Sequence, residues 1–164
     1  MRAARARRAR GAALSLQLRR TVRSWAPSRR ELTRWASTAL GARASGRELG
    51  VAVVGAAESR RLNARYRGRD RATNVLSFPA PAPAPARAAR PTPLGDLVIC
   101  APVLRTEARA QAKPLSAHWA HLVVHGALHL IGYDHERDAD ARRMERREIA
   151  VLRRLGFPNP YRSP

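Results

Sequence analysis

The 164-residue chain reads as a single α+β domain: a mixed sheet of about four strands packed with helices, one of them a buried helix that carries histidines. Three observations predict this. Strand-like runs recur at Leu14–Leu18, Leu49–Val54, Thr73–Phe78 and Leu94–Cys100. Helical spacing of apolar residues falls between and after them. All five histidines lie between His118 and His135. The length allows one domain, and a hydrophobic content of 45% allows one core, although much of it is alanine, so Leu, Val and Ile must fill the interior.

The elements follow in order. Residues 1–12 are Arg/Ala-rich without an acid and are expected to form a disordered basic arm, leaving 13–164 as the domain. Leu14–Leu18 alternates apolar and polar residues. Ser28 with Glu31 forms a capping-box pattern, and Leu32, Trp35, Ala36, Ala39 and Leu40 then fall at helical spacing. Leu49–Val54 is a β-branched run. Glu58–Tyr66 reads as a helix with Leu62 and Tyr66 on one face, and Pro79 closes the strand Thr73–Phe78. Residues 79–93 are a Pro/Ala tract without a core face, read as a flexible loop inside the domain because strand signals resume at once. A helix is predicted over Pro102–Gln111, and Lys113-Pro114 breaks it. Ser116 is the candidate cap of the histidine helix. A charged helix, Glu136–Leu155, comes last, with Met144, Ile149, Leu152 and Leu155 inward and Gly156 as its stop.

Charge separates from chemistry along the chain. The total is +20, from 32 basic groups (31 of them arginine) against 12 acids, and +18 of it lies before Pro114. A polyanion such as RNA is the natural partner for that basic surface. Cys100 is the only cysteine, so an intrachain disulfide and a cysteine-based zinc cage are both excluded, and a reducing compartment fits. No apolar run reaches the roughly 18 residues that a membrane span requires.

The histidine segment carries the chemistry. His118, His121, His125 and His129 share one helix face, and the other directions are apolar. Buried imidazoles are costly without partners, and a metal would satisfy them. His125 and His129, at i and i+4, can grip one ion. Gly132 can end the helix in a left-handed conformation and turn the chain so that His135 faces them. The resulting H-x3-H-x2-G-x2-H spacing matches the metzincin zinc pattern. Three imidazoles with one open position describe a catalytic zinc, which would acidify bound water and polarise a phosphoryl or carbonyl oxygen. Where zinc proteases place glutamate after the first histidine, this chain has Gly126, so the peptidase mechanism lacks its proton acceptor. His118 and His121 read as outer partners, substrate-facing groups or core histidines. Asp134 reads as an outer partner, a base or a helix cap.

His125-Gly-Ala-Leu-His129-Leu-Ile-Gly132-Tyr-Asp-His135 resembles the signature of the YbeY family, bacterial endoribonucleases of ribosomal RNA maturation. Tyr66-Arg67-Gly68-Arg69-Asp70, Thr73 through Pro79, Leu94 through Cys100 and Lys113 onward are similar to the same family. The resemblance implies an α+β fold and one zinc ion held by His125, His129 and His135. It implies a functionally important arginine at Arg67, and zinc-dependent cleavage of single-stranded RNA that matures the 3′ end of small-subunit (16S) ribosomal RNA and serves ribosome quality control. The partners implied are ribosomal RNA and the small ribosomal subunit or its assembly factors, in the cytoplasm. A guanidinium at Arg67 suits that role, because it can hold a phosphate bidentately. The Pro/Ala tract and the basic arm depart from the family pattern. The competing readings are a non-catalytic zinc-containing ribosome-assembly factor and a metalloprotease.

Overall fold

The computed structural model describes residues 13–82 and 91–162, so the expected basic arm and most of the Pro/Ala tract lie outside the described residues. The elements run β1 Ser15–Arg20, α1 Arg29–Leu40, a 3₁₀ turn Gly41–Ala44, β2 Arg47–Val54, α2 Ala56–Arg67, β3 Val75–Pro79, β4 Thr92–Cys100, α3 Ala101–Ala110, α4 Leu115–Leu130 and α5 Asp138–Leu155. The four strands form one mixed sheet in the order β1-β2-β4-β3. β1, β2 and β4 run parallel, and β3 pairs antiparallel with β4, with Val75 opposite Ile99 and Pro79 opposite Gly95. The predicted α+β class and mixed four-stranded sheet are what the structure contains.

Strand alternation sorts the sheet into two faces. Leu16, Leu49, Val51, Val53, Leu97 and Ile99 join the core with Trp35, Leu32 and Ala36 of α1, most of α4, and Met144, Val151 and Leu152 of α5. Val54, Leu76, Val98 and Cys100 form a smaller cluster on the other face, against Leu62 of α2 and Val103 of α3. The sheet is thus sandwiched, with α4 in the thicker layer. α4 is apolar nearly all round, as a helix buried on most sides must be.

Local signals explain most boundaries. The Ser28 capping box forms: the Glu31 amide donates to Ser28 Oγ at 3.3 Å, and the Ser28 amide donates to Glu31 Oε2 at 2.8 Å. α2 ends at Gly68, which takes a left-handed φ of 67°. Several expectations shift. β1 runs on through Arg19 and Arg20, because parallel pairing with Ala52 and Val53 extends it past its apolar residues. β3 starts at Val75, not Thr73: the Thr73 backbone is bound to Ser59 of α2, and Asn74 accepts from the Val75 amide. Ser116 does not cap α4. The helix starts at Leu115, directly after Pro114, whose carbonyl accepts the His118 amide at 3.1 Å. α5 starts at Asp138 rather than Glu136, since residues 131–137 form the turn that carries His135.

Candidate metal centre

α4 supplies the first two imidazoles. His125 and His129 stand one turn apart on its half-buried flank, and their Nε2 atoms converge to 3.1 Å. The helix then stops in a Schellman arrangement: the Gly132 amide donates to the His129 carbonyl at 3.0 Å and the Tyr133 amide to the Leu128 carbonyl at 3.1 Å. Gly132 has φ 96°, a value that side-chain-bearing residues rarely adopt, and the chain reverses there. His135 returns to stack on His125, with ring centroids 5.6 Å apart and planes at 26°, and lies 4.9 Å from His129. One ring nitrogen from each of the three lies within 4.8 Å of the others.

The donor set fits a zinc ion. Two nitrogens on one tetrahedral zinc, with bonds of about 2.0–2.1 Å, sit about 3.3 Å apart, close to the His125–His129 separation. Burial, with the neighbouring His125 and His135, pushes the His129 imidazole down to about 4, so at neutral pH it offers its lone pair with no proton to displace.

Beneath the imidazoles lies a residue that sequence reasoning missed. Glu148 of α5 is fully buried. Its carboxylate accepts from His125 Nδ1 at 2.5 Å, from His121 Nε2 at 3.3 Å and from the Tyr161 hydroxyl. Burial alone would raise this carboxyl, but the bonds from His121, His125 and Tyr161 outweigh it and hold the group at about 2. A signal for it existed. Met144, Glu148, Val151, Leu152 and Leu155 form one continuous helical stripe, so the glutamate interrupts an apolar face, whereas Ile149, the residue expected inward, is only half-buried.

A second carboxylate–imidazole pair sits one turn earlier on α4. His118 is only 4% exposed, and its Nε2 lies 2.7 Å from Glu107 of α3. Glu107 also receives both bonds offered by the Asn74 side-chain amide. Its carboxyl stays below the usual range because these bonds overcome the opposing effect of burial. His118 therefore belongs to the core: its Nε2 meets a side-chain carboxylate, and its buried Nδ1 has no hydrogen-bond partner. Asp134 accepts from the backbone amide of His135 at 2.7 Å, which orders the turn.

The structure does not bring Arg67 into the imidazole cluster. It is exposed at the end of α2 and lines a separate depression of about 220 Å³ with Arg69, Arg71, Asn74 and Glu107. Glu107 links the two regions, since it faces that depression and bonds His118 of the histidine helix.

Gly126 explains the missing glutamate. A Cβ there would lie 2.8 Å from Leu97 Cδ2 and 3.3 Å from Ser77 Oγ, because α4 presses directly on β4 and β3 at this point. A side chain at 126 would run into the sheet and not toward the imidazoles.

The comparisons agree with this architecture. A family profile described as endoribonuclease YbeY matches residues 17–156. An endoribonuclease YbeY of Halorhodospira halophila is 48% identical over 150 residues, covering 92% of this chain and 97% of that one. A solution structure of a Thermotoga maritima protein shares the fold at TM-score 0.53 and 21% identity, covering 89% of this chain and 99% of that one. With a signature that folds into a three-imidazole cluster, and with similarity along nearly the whole length, the chain belongs to the YbeY family of endoribonucleases.

Proposed function

We propose that this endoribonuclease is zinc-dependent and single-strand-specific, and that it matures the 3′ end of small-subunit (16S) ribosomal RNA and contributes to ribosome quality control. Its partners would be ribosomal RNA and the small subunit or its assembly factors, in the cytoplasm; among the described residues no helix is long and apolar enough to cross a membrane. The observation that carries the reading is the convergence of the His125, His129 and His135 nitrogens within 4.8 Å on the flank of α4.

The residues divide the work. His125, His129 and His135 would hold the ion through one ring nitrogen each, and three protein ligands would leave room for water or substrate. When bound, zinc supplies a Lewis acid that polarises a phosphoryl oxygen and acidifies water. Arg67, with Arg69 and Arg71 beside it, offers guanidinium forks to the RNA backbone. Arg67, outside the imidazole cluster, would hold a phosphate of the bound strand and so fix the scissile bond at the ion. The arginine-rich first two thirds of the chain grip the remaining phosphates without reading sequence.

The test pairs metal content with cleavage of single-stranded and duplex ribosomal RNA fragments. His129→Ala should lose zinc and cleavage together. Arg67→Glu should keep its zinc and lose cleavage by roughly 10²-fold, the scale expected when a bound substrate is misplaced. A His129→Ala protein that cleaves like wild type would overturn the assignment.

A further inference from the structure

Glu148 is fully buried, and among the described residues its ion-pair partners are the His121 and His125 rings. A buried carboxylate is tolerated only when its oxygens are bonded. Three donors converge on it: the His125 and His121 rings from α4, and the Tyr161 hydroxyl from the segment after α5. His125 is therefore held at both ring nitrogens. Nδ1 faces a carboxylate at 2.5 Å, and Nε2 faces His129 Nε2 at 3.1 Å.

A neutral imidazole carries one N–H, and the better acceptor determines which nitrogen bears it. We infer that Glu148 is a positioning residue of the metal centre: it keeps the His125 proton on Nδ1, which leaves Nε2 as a free ligand atom aimed at the His129 and His135 nitrogens, and Tyr161 steadies Glu148 in turn. The inference rests on the zinc reading above.

A competing arrangement is available and fits its distances less well. His121, His125 and Glu148 also converge within 4.8 Å and form a possible ligand set of their own. An ion between nitrogen and oxygen, with bonds of about 2.0–2.1 Å, keeps those atoms at least about 2.9 Å apart. The His125–Glu148 separation of 2.5 Å is shorter, the distance of a hydrogen bond, which favours a shared proton over a metal between these two groups. His121 spends its Nε2 on the same carboxylate, and its ring packs edge-on to Tyr161 at 5.4 Å. That pairing makes His121 a donor to Glu148 and removes it from the ligand set.

The test uses the full chain, stripped of metal and titrated with zinc against a chromophoric chelator, with cobalt(II) spectra as a second readout. Glu148→Gln keeps the volume but presents an NH₂ where Tyr161 and His121 need an acceptor. Its zinc affinity should fall by about 10- to 100-fold, and the visible cobalt bands should shift. Tyr161→Phe, at a side chain on the surface, should weaken zinc several-fold while the fold is kept, so the idea stays testable if Glu148→Gln does not fold. Equal zinc affinity and identical cobalt spectra in wild type and a folded Glu148→Gln protein would overturn the inference. So would unchanged affinity in Tyr161→Phe, or a loss confined to the melting temperature of the metal-free protein. A wild-type chain that binds no zinc would instead sink the metal reading on which the inference stands.

Discussion

Gly126 offers a direct test of how tightly the histidine helix is pressed against the sheet. Adding one methyl, Gly126→Ala, has two opposing effects. Alanine favours helix over glycine by about 1 kcal/mol. Against that, the new Cβ would lie 2.8 Å from Leu97 Cδ2 and 3.2 Å from Leu97 Cδ1. Leu97 is fully buried between α4 and the rest of the core, so it cannot swing aside without displacing its neighbours. Overpacking of this kind costs about 1–3 kcal/mol. The net effect is a destabilisation centred near ~1 kcal/mol, which lowers Tm by about 2–4 °C in a domain of this size. Gly126→Glu, the residue a zinc protease would carry, adds an unpartnered buried carboxylate and should abolish the cooperative transition. Thermal melts by circular dichroism, with and without zinc, measure both variants. A Gly126→Ala protein more stable than wild type, or a folded Gly126→Glu protein, would refute the claim that the sheet excludes a side chain here.

Three further outcomes are expected. Because His129 titrates near 4 when folded and near 6.5 when unfolded, the metal-free protein keeps this contribution above about pH 6.5 and loses it as pH falls toward about 4. The full shift would correspond to about 3 kcal/mol, and solvent screening of a half-buried ring reduces this to about 1–2; urea midpoints across that range measure it, and a flat profile counts against it. Ser28→Ala removes the capping box and should cost about 1 kcal/mol, read as a lower Tm with zinc content unchanged. Affinity for single-stranded RNA should fall roughly 10-fold or more between about 50 and about 200 mM salt, and Arg67→Glu should flatten that slope, as fluorescence anisotropy would show.

What could be read in advance was local. The capping box, the glycine stops at Gly132 and Gly156, the strand runs and the clustering of His125, His129 and His135 are short-range patterns, each determined by residues within a few positions of one another. What could not be read depends on contacts made across the fold. β1 runs past its apolar residues because β2 lies beside it, and Thr73 leaves the strand because Ser59 binds its backbone. The break in the apolar stripe of α5 marks Glu148 as inward but does not say what it meets. Only the docking of α5 on α4 turns it toward two imidazoles, and no spacing rule connects residue 125 to residue 148. The separation of Arg67 from the imidazole cluster likewise follows from where α2 ends, not from the motif that contains it.

The buried carboxylate and the imidazole it meets arrive on different helices, and with the proposed metal site this would make metal binding and helix docking one thermodynamic event. If α5 must be seated for His125 to present the correct nitrogen, an ion on the three histidines favours the seated helix by the same free energy that the seated helix adds to the ion's affinity. The coupling is reciprocal by necessity. Loosening α5 anywhere along its apolar stripe, far from the three imidazoles, would then weaken the grip on the metal, and removing the metal would reduce the protection of α5 amides against exchange with solvent.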